Sequence, residues 1–167
     1  MAGLRADEVP PLAVKWAFGF PGVGQMYAQP TVVGGRVFVG SAARKVYSLD
    51  ARTGCQYWAT DTEFPVRTAI SVGSIGNRMA LYFADQHALA YALDASTGEL
   101  VWKTRVEDHM AAMTTGAPTL AGGKLYVPTS GKATRFRKSR SQDDRTSRVR
   151  HGGAHRAPRF GRPPRSI

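Results

Sequence analysis

An all-β fold of four-stranded antiparallel sheets arranged in series is predicted by three observations. A motif recurs at a fixed step of 44 residues. The apolar segments between its copies are short, β-branched and aromatic, and Gly or charged residues bound them. The 18 Gly and 10 Pro supply many tight turns, which suits short strands better than long helices.

The recurring motif comes first, because a missed repeat mis-assigns the whole fold. Leu49-Asp50-Ala51-Arg52-Thr53-Gly54 leads to Trp58, and Leu93-Asp94-Ala95-Ser96-Thr97-Gly98 leads to Trp102. Asp50 and Asp94, Gly54 and Gly98, Trp58 and Trp102, and Tyr47 and Tyr91 are each 44 apart. Val37-Phe38-Val39 returns as Leu81-Tyr82-Phe83 and again as Leu125-Tyr126-Val127. Gln29-Pro30-Thr31 and Ala117-Pro118-Thr119 lie two steps apart. Trp16 precedes Trp58 by 42 residues and so closes a unit whose earlier strands are absent.

Within one unit the elements follow in order. Val33-Gly34-Gly35-Arg36 and Leu120-Ala121-Gly122-Gly123-Lys124 read as hairpin turns between a first and a second strand. Arg36-Val37-Phe38-Val39-Gly40 and Lys45-Val46-Tyr47-Ser48-Leu49 read as the second and third strands. Asp50 then accepts hydrogen bonds from the turn backbone, and Gly54 supplies the positive φ that closes the turn. The outer strand, Cys55 to Thr60, follows and carries Trp58. An indole buries roughly 150–250 Å², about 4–6 kcal/mol at ~25 cal/mol per Å². Placed once per repeat, it packs against the turn of the neighbouring sheet. A step of this length with several short strands per unit is the pattern of a β-propeller. Residues 1–131 then form about two and a half blades, and the rest is a tail.

Composition bounds the function classes. The 167 residues, with 43% hydrophobic and 10% aromatic content, can fold around a core. No apolar run reaches the length of a membrane span. The segment MAGLRADEVPPLAVKW lacks the apolar core of a secretory signal, which leaves a cytoplasmic chain or a missing N-terminus as alternatives. Cys55 is the single cysteine, so no intrachain disulfide or cysteine zinc cluster forms. The net charge of +11 suggests nucleic acid until it is divided. Residues 1–131 hold 11 Lys+Arg against 10 Asp+Glu, and residues 132–167 hold 12 against 2. The charge belongs to the tail.

The repeated Leu-Asp-Ala-x-Thr-Gly-x-x-x-Trp pattern is similar to the tryptophan-docking motif of propellers that bind pyrroloquinoline quinone (PQQ). Further segments resemble the polyvinyl-alcohol dehydrogenase type of quinoprotein. They are Lys15-Trp16-Ala17-Phe18-Gly19-Phe20-Pro21-Gly22, Gln29 to Gly35, Val66-Arg67-Thr68-Ala69, and Val106-Glu107-Asp108-His109 leading to Thr115-Gly116-Ala117-Pro118-Thr119-Leu120. The resemblance covers residues 12–130. It implies an eight-bladed, periplasmic, PQQ-dependent oxidation of an alcohol or polyol, with a calcium ion at the quinone and a cytochrome c as electron acceptor. The chain is then a truncated propeller segment of such an enzyme, inactive alone. The alternative is a fragment of a non-catalytic propeller of the same repeat, a protein-binding scaffold like the outer-membrane assembly lipoprotein.

By this resemblance Arg67, nine residues after Trp58, stands where quinoprotein alcohol dehydrogenases place an arginine beside the quinone. A guanidinium fork suits paired carboxylate or quinone oxygens. A surface arginine on an inner strand is the plain alternative. Two parts of the family pattern are missing. There is no adjacent cysteine pair, and the glutamate before the first Gln-Pro falls near Tyr27, which cannot replace it. Asp85 and His87 read as a solvated turn, and Glu107, Asp108 and His109 as a loop into the third blade. No Cys-x-x-Cys-His attaches haem c, and there is no nucleotide loop or serine-hydrolase elbow.

The third unit stops at Tyr126-Val127-Pro128-Thr129-Ser130-Gly131, before its own Asp-x-x-Thr-Gly-x-x-x-Trp. Residues 132–167 hold ten Arg and no Leu, Tyr or Trp, too little apolar surface to order a chain, and are expected to be disordered. A reading-frame slip in a GC-rich gene accounts for that composition better than a nucleic-acid or membrane-surface arm, because the break falls in mid-blade. Nucleic acid is therefore not an expected partner.

Overall fold

The computed structural model of the chain describes residues 11–130. The basic tail lies outside the described residues. Within them there are ten strands and no helix, and hence no helix long and apolar enough to cross a membrane. The first sheet contains β1 (Thr31–Val33), β2 (Arg36–Ser41), β3 (Lys45–Asp50) and β4 (Gln56–Asp61), in sequence order. The second contains β5 (Ser71–Ile75), β6 (Arg78–Ala84), β7 (Leu89–Asp94) and β8 (Leu100–Arg105). A two-stranded sheet of β9 (Thr119–Ala121) and β10 (Lys124–Tyr126) begins a third unit. Every pairing is antiparallel. This is the expected partial propeller of two complete blades and part of a third.

The two complete sheets agree in detail. Phe38 pairs Ser48 in one, and Tyr82 pairs Ala92 in the other. Each has a register shift at the same place, between Ser48 and Leu49 and between Ala92 and Leu93. The extra residue is Tyr57 in β4 and Val101 in β8, immediately before the tryptophan. A bulge re-aims the side chains that follow it, and here the residue it delivers is the indole. The second-to-third-strand hairpins also match. Arg44 (φ 56) and Ala88 (φ 60) hold left-handed backbone one residue before β3 and β7, each as the last residue of its hairpin loop.

The sheets stack face to face. Phe38 and Val46 of the first sheet pack with Leu81, Phe83, Tyr91 and Leu93 of the second. The opposite face of the second sheet, with Ala80, Tyr82 and Ala92, meets Leu125 and Val127 of the third unit. The free face of the first sheet, Val37, Val39, Tyr47 and Leu49, is covered by Trp16, Phe18 and Phe20. Strict alternation along β2 and β6 thus divides their residues between two neighbours. Since both faces are covered, the strands read as near-continuous apolar runs.

Two indoles hold the stack at its outer edge. Trp58 lies on the turn of the second sheet, where a Cβ built on Gly98 would meet Trp58 Cδ2 at 2.7 Å. Trp16 lies on Gly54 in the same way, at 2.8 Å, and its Nε1 donates to the Ala51 carbonyl at 3.1 Å. Gly54 and Gly98 have φ of 77° and 79°. Glycine meets two demands there, a left-handed backbone and an empty side-chain position under a ring. Thr60 Oγ1 adds a hydrogen bond to the Gly98 carbonyl at 2.7 Å. The packing of tryptophan on the neighbouring turn follows the sequence expectation.

The turns themselves are built by aspartate. Asp50 Oδ1 accepts from Arg52 N at 2.9 Å, Thr53 N at 2.7 Å and Thr53 Oγ1 at 2.9 Å. Asp94 Oδ1 accepts from Ser96 N at 2.9 Å and Thr97 N at 3.2 Å. Such turns replace backbone partners with a side-chain oxygen.

Candidate functional site

Adjacent sheets also meet at their first strands. Leu120 Cδ1 of β9 would lie 2.5 Å from a Cβ on Gly73 of β5. Thr31 Oγ1 donates to the Ile70 carbonyl at 2.7 Å, and Ser71 Oγ donates to the Pro118 carbonyl. First strands that touch across sheets are the inner strands of a propeller, next to its axis.

The connector from the outer strand of one sheet to the inner strand of the next, residues 62–70, crosses one end of the stack. Val66 N donates to the Ser41 carbonyl at 3.1 Å, and Gln86 N donates to the Pro65 carbonyl at 2.8 Å. Thr68, fully buried, donates from Oγ1 to the Ala84 carbonyl at 3.1 Å. Val66 sits on Gly40, whose Cβ position would fall 2.4 Å from Val66 Cγ1. Pinned on both sides, the connector presents Arg67 in a fixed place at the entrance to β5.

Arg67 is half-buried, and its guanidinium carbon lies 3.8 Å from the centroid of the Tyr27 ring. Tyr27 in turn donates from its hydroxyl to Gln25 Oε1. Tyr27 and Arg67 occupy equivalent places, each four residues before the first strand of its sheet, β1 or β5. The same place before β9 is Thr115. Among the described residues the ion pairs are Lys45–Asp61, Arg78–Asp94 and Lys103–Glu63. Arg67 is in none of them, and its five N–H donors are unspent among the described residues. A half-buried cation with free planar donors can bind a planar anion or paired oxygens.

The other residues considered from the sequence fall out differently. Asp85 is not a solvated turn residue; it is fully buried. Its Oδ1 accepts from His87 N at 3.0 Å and Leu89 N at 3.1 Å, and its Oδ2 accepts from Tyr91 Oη at 2.9 Å. The connector residues Pro65 and Thr68, bound to Gln86 and Ala84 on either side, close the hairpin from solvent. The carboxylate is committed to shaping that hairpin. Tyr91 also accepts from Glu63 N at 3.2 Å, and burial pushes its ionisation well above the usual tyrosine range. His87 stacks on Phe64, 4.0 Å between centroids and 9° between planes. Glu107 and His109 lie in the loop between β8 and β9, where Glu107 Oε1 accepts from His109 N at 3.2 Å. Among the described residues no group of three or more His, Cys, Asp or Glu is placed to hold a metal ion.

Sequence reasoning singled out Arg67 and noted Tyr27 only as a departure from a pattern. It missed that the two stack. The signal was available: the inner-strand register that matches Thr31 with Ser71 also matches Tyr27 with Arg67.

Comparison with known proteins agrees with this architecture. Residues 13–149 match the PQQ_2 family model, described as outer membrane protein assembly factor BamB. A polyvinylalcohol dehydrogenase of Pseudomonas sp is 44% identical over 132 residues, 77% of this chain and 20% of the relative. A second polyvinylalcohol dehydrogenase, from Sphingopyxis sp. (strain 113P3), is 41% identical over 137 residues, 80% of this chain and 21% of the relative. The chain therefore spans about a fifth of the length of these curated relatives. A solved europium-containing methanol dehydrogenase superposes with a TM-score of 0.60 at 24% identity, over 78% of this chain and 25% of that one. That likeness concerns the fold alone. The tryptophan-docked sheets and the family match lead to one conclusion: the chain belongs to the PQQ_2 family, as a partial β-propeller similar to a segment of the polyvinylalcohol dehydrogenases.

Proposed function

We propose that this chain is a propeller segment of a PQQ-dependent alcohol dehydrogenase acting on polyvinyl alcohol or a similar polyol, and that it is inactive alone. The observation that carries the proposal is Arg67, a half-buried guanidinium with unspent donors at the entrance to an inner strand. The identity to two polyvinylalcohol dehydrogenases supports it. When bound, PQQ supplies the two-electron acceptor for the hydride of the alcohol carbon. Arg67 would hold the quinone through its N–H fork, and the pinned connector fixes where that fork stands. The remaining wall of the site, calcium ligands included, belongs to blades outside this segment. A cytochrome c acceptor and a periplasmic location go with the same reading.

The test uses the Pseudomonas relative. Replacing its residue at the position matching Arg67 by Ala is expected to weaken PQQ binding about tenfold or more while leaving the protein folded. The purified 167-residue chain, given PQQ and an alcohol, is expected not to reduce a dye acceptor. The family model's own description favours a second reading, a non-catalytic scaffold that binds protein. PQQ binding that is indifferent to the change would overturn the role given to Arg67, and failure of this chain's segment to take up PQQ in place of the relative's own would support the second reading.

A further inference from the structure

The face of Arg67 that is already occupied says something about how the residue is used. A lone arginine on a connector has several rotamers, and a surface cation of this kind samples many of them. Here the guanidinium carbon lies over an aromatic ring, 3.8 Å from the ring centroid. The ring is itself held at its far end by the hydroxyl's hydrogen bond to Gln25. Tyr27 is about half exposed, at 51%, so packing of the core does not explain its place. No core cluster includes it. Its contact is with Arg67, which reaches it across the boundary between two sheets.

We infer that Tyr27 is a positioning residue for Arg67, fixing the guanidinium plane so that its N–H edge is presented to the anionic rim of a planar quinone. This rests on the quinone reading given above. Stacking uses the face of the guanidinium and leaves the in-plane donors free, so one cation serves both partners. A charged carboxylate at this place would compete for those donors; a phenol ring does not.

The experiment has two readouts, the first on the chain itself and the second on a chimera in which residues 13–130 replace the matching segment of the Pseudomonas polyvinylalcohol dehydrogenase. The first is the Arg67 Nε–H signal in a ¹⁵N NMR spectrum, which lies under the ring current of Tyr27. It is expected to move in Tyr27→Ala and to stay in Tyr27→Phe. The second is titration with PQQ, followed by quenching of tryptophan fluorescence. Tyr27→Ala is expected to weaken binding about three- to tenfold and Tyr27→Phe by less than about twofold. In an Arg67→Ala background, Tyr27→Ala is expected to add nothing, which a merely structural role would not produce. If Tyr27→Ala leaves both the NMR signal and the affinity unchanged while Arg67→Ala weakens binding, the positioning role is wrong and the quinone reading stands. If Arg67→Ala binds PQQ as the unaltered chimera does, or the folded unaltered chimera shows no saturable binding, the quinone reading falls and takes this inference with it.

Discussion

Gly98 stands where any Cβ would lie 2.7 Å from Cδ2 of Trp58, so indole and turn meet with no side chain between them. The two residues are 40 apart in sequence and belong to different sheets. Their contact turns a local repeat into a stack. Because the same contact joins Trp16 to Gly54, the device is a property of the repeat unit.

Glycine substitutions separate the contact from the turn. Gly98→Ala combines a left-handed backbone, costing about 1–2 kcal/mol, with overpacking under the ring, costing about 1–3 kcal/mol. Gly34→Ala shares the positive φ, at 58°, but meets nothing within 4 Å. Urea unfolding is expected to show Gly98→Ala as the more damaging change by about 1–3 kcal/mol. Equal effects would mean that the indole does not press on the turn.

Removing the ring tests the same contact from the other side. Trp58→Ala is expected to cost about 3–5 kcal/mol, because Trp58 also packs near Phe38 in the first intersheet core. Trp102 packs near Tyr82 but lies on no glycine turn among the described residues. Trp102→Ala is expected to cost less. Chemical denaturation of the two variants ranks them.

Asp85 supplies a third comparison. Asp85→Ala leaves the His87 and Leu89 amides and the Tyr91 hydroxyl without their acceptor in a buried hairpin. About 3 kcal/mol of destabilisation is expected. Asp85→Ser, which copies the residue at the equivalent position of the first sheet, Ser41, is expected to recover part of it. Thermal unfolding checks both.

The turn carboxylates give a pH dependence. The Tyr57 hydroxyl, then Thr53, hold Asp50 well below the usual carboxylate range, and the Ser96 hydroxyl, with further turn amides and Arg78, lowers Asp94. A group whose folded-state pKa is depressed contributes stability above its unfolded pKa, about 3.9 for Asp. That contribution is lost as pH falls through the lower folded value. The unfolding midpoint is therefore expected to drop below about pH 4, and Asp94→Asn is expected to flatten the drop. A profile unchanged by Asp94→Asn would remove the turn from the account.

The blades were legible in the sequence because their signal is local and repeated. Trp58 and Trp102 mark the same phase as Asp50 and Asp94, and chance does not align four residue types at one step. Asp85 was misread because an aspartate among Gln86 and His87 resembles any polar turn. Its burial comes from Pro65 and Thr68, contributed by a connector some twenty residues earlier. The Tyr27–Arg67 stack was hidden for the same reason. Each residue sits in an unremarkable loop, and only the placing of consecutive inner strands side by side brings them together. Local chemistry wrote the sheets, and sheet-to-sheet geometry wrote the site.

The most direct measurement is made in a chimera of the Pseudomonas polyvinylalcohol dehydrogenase whose matching segment is replaced by residues 13–130 of this chain. PQQ-dependent dye reduction with polyvinyl alcohol is the readout, with binding of PQQ followed in parallel. The account predicts a folded chimera that binds PQQ and oxidises the polymer, and in which Arg67→Ala weakens both about tenfold or more. A chimera that folds but takes up no quinone, or one whose activity ignores Arg67→Ala, would contradict it.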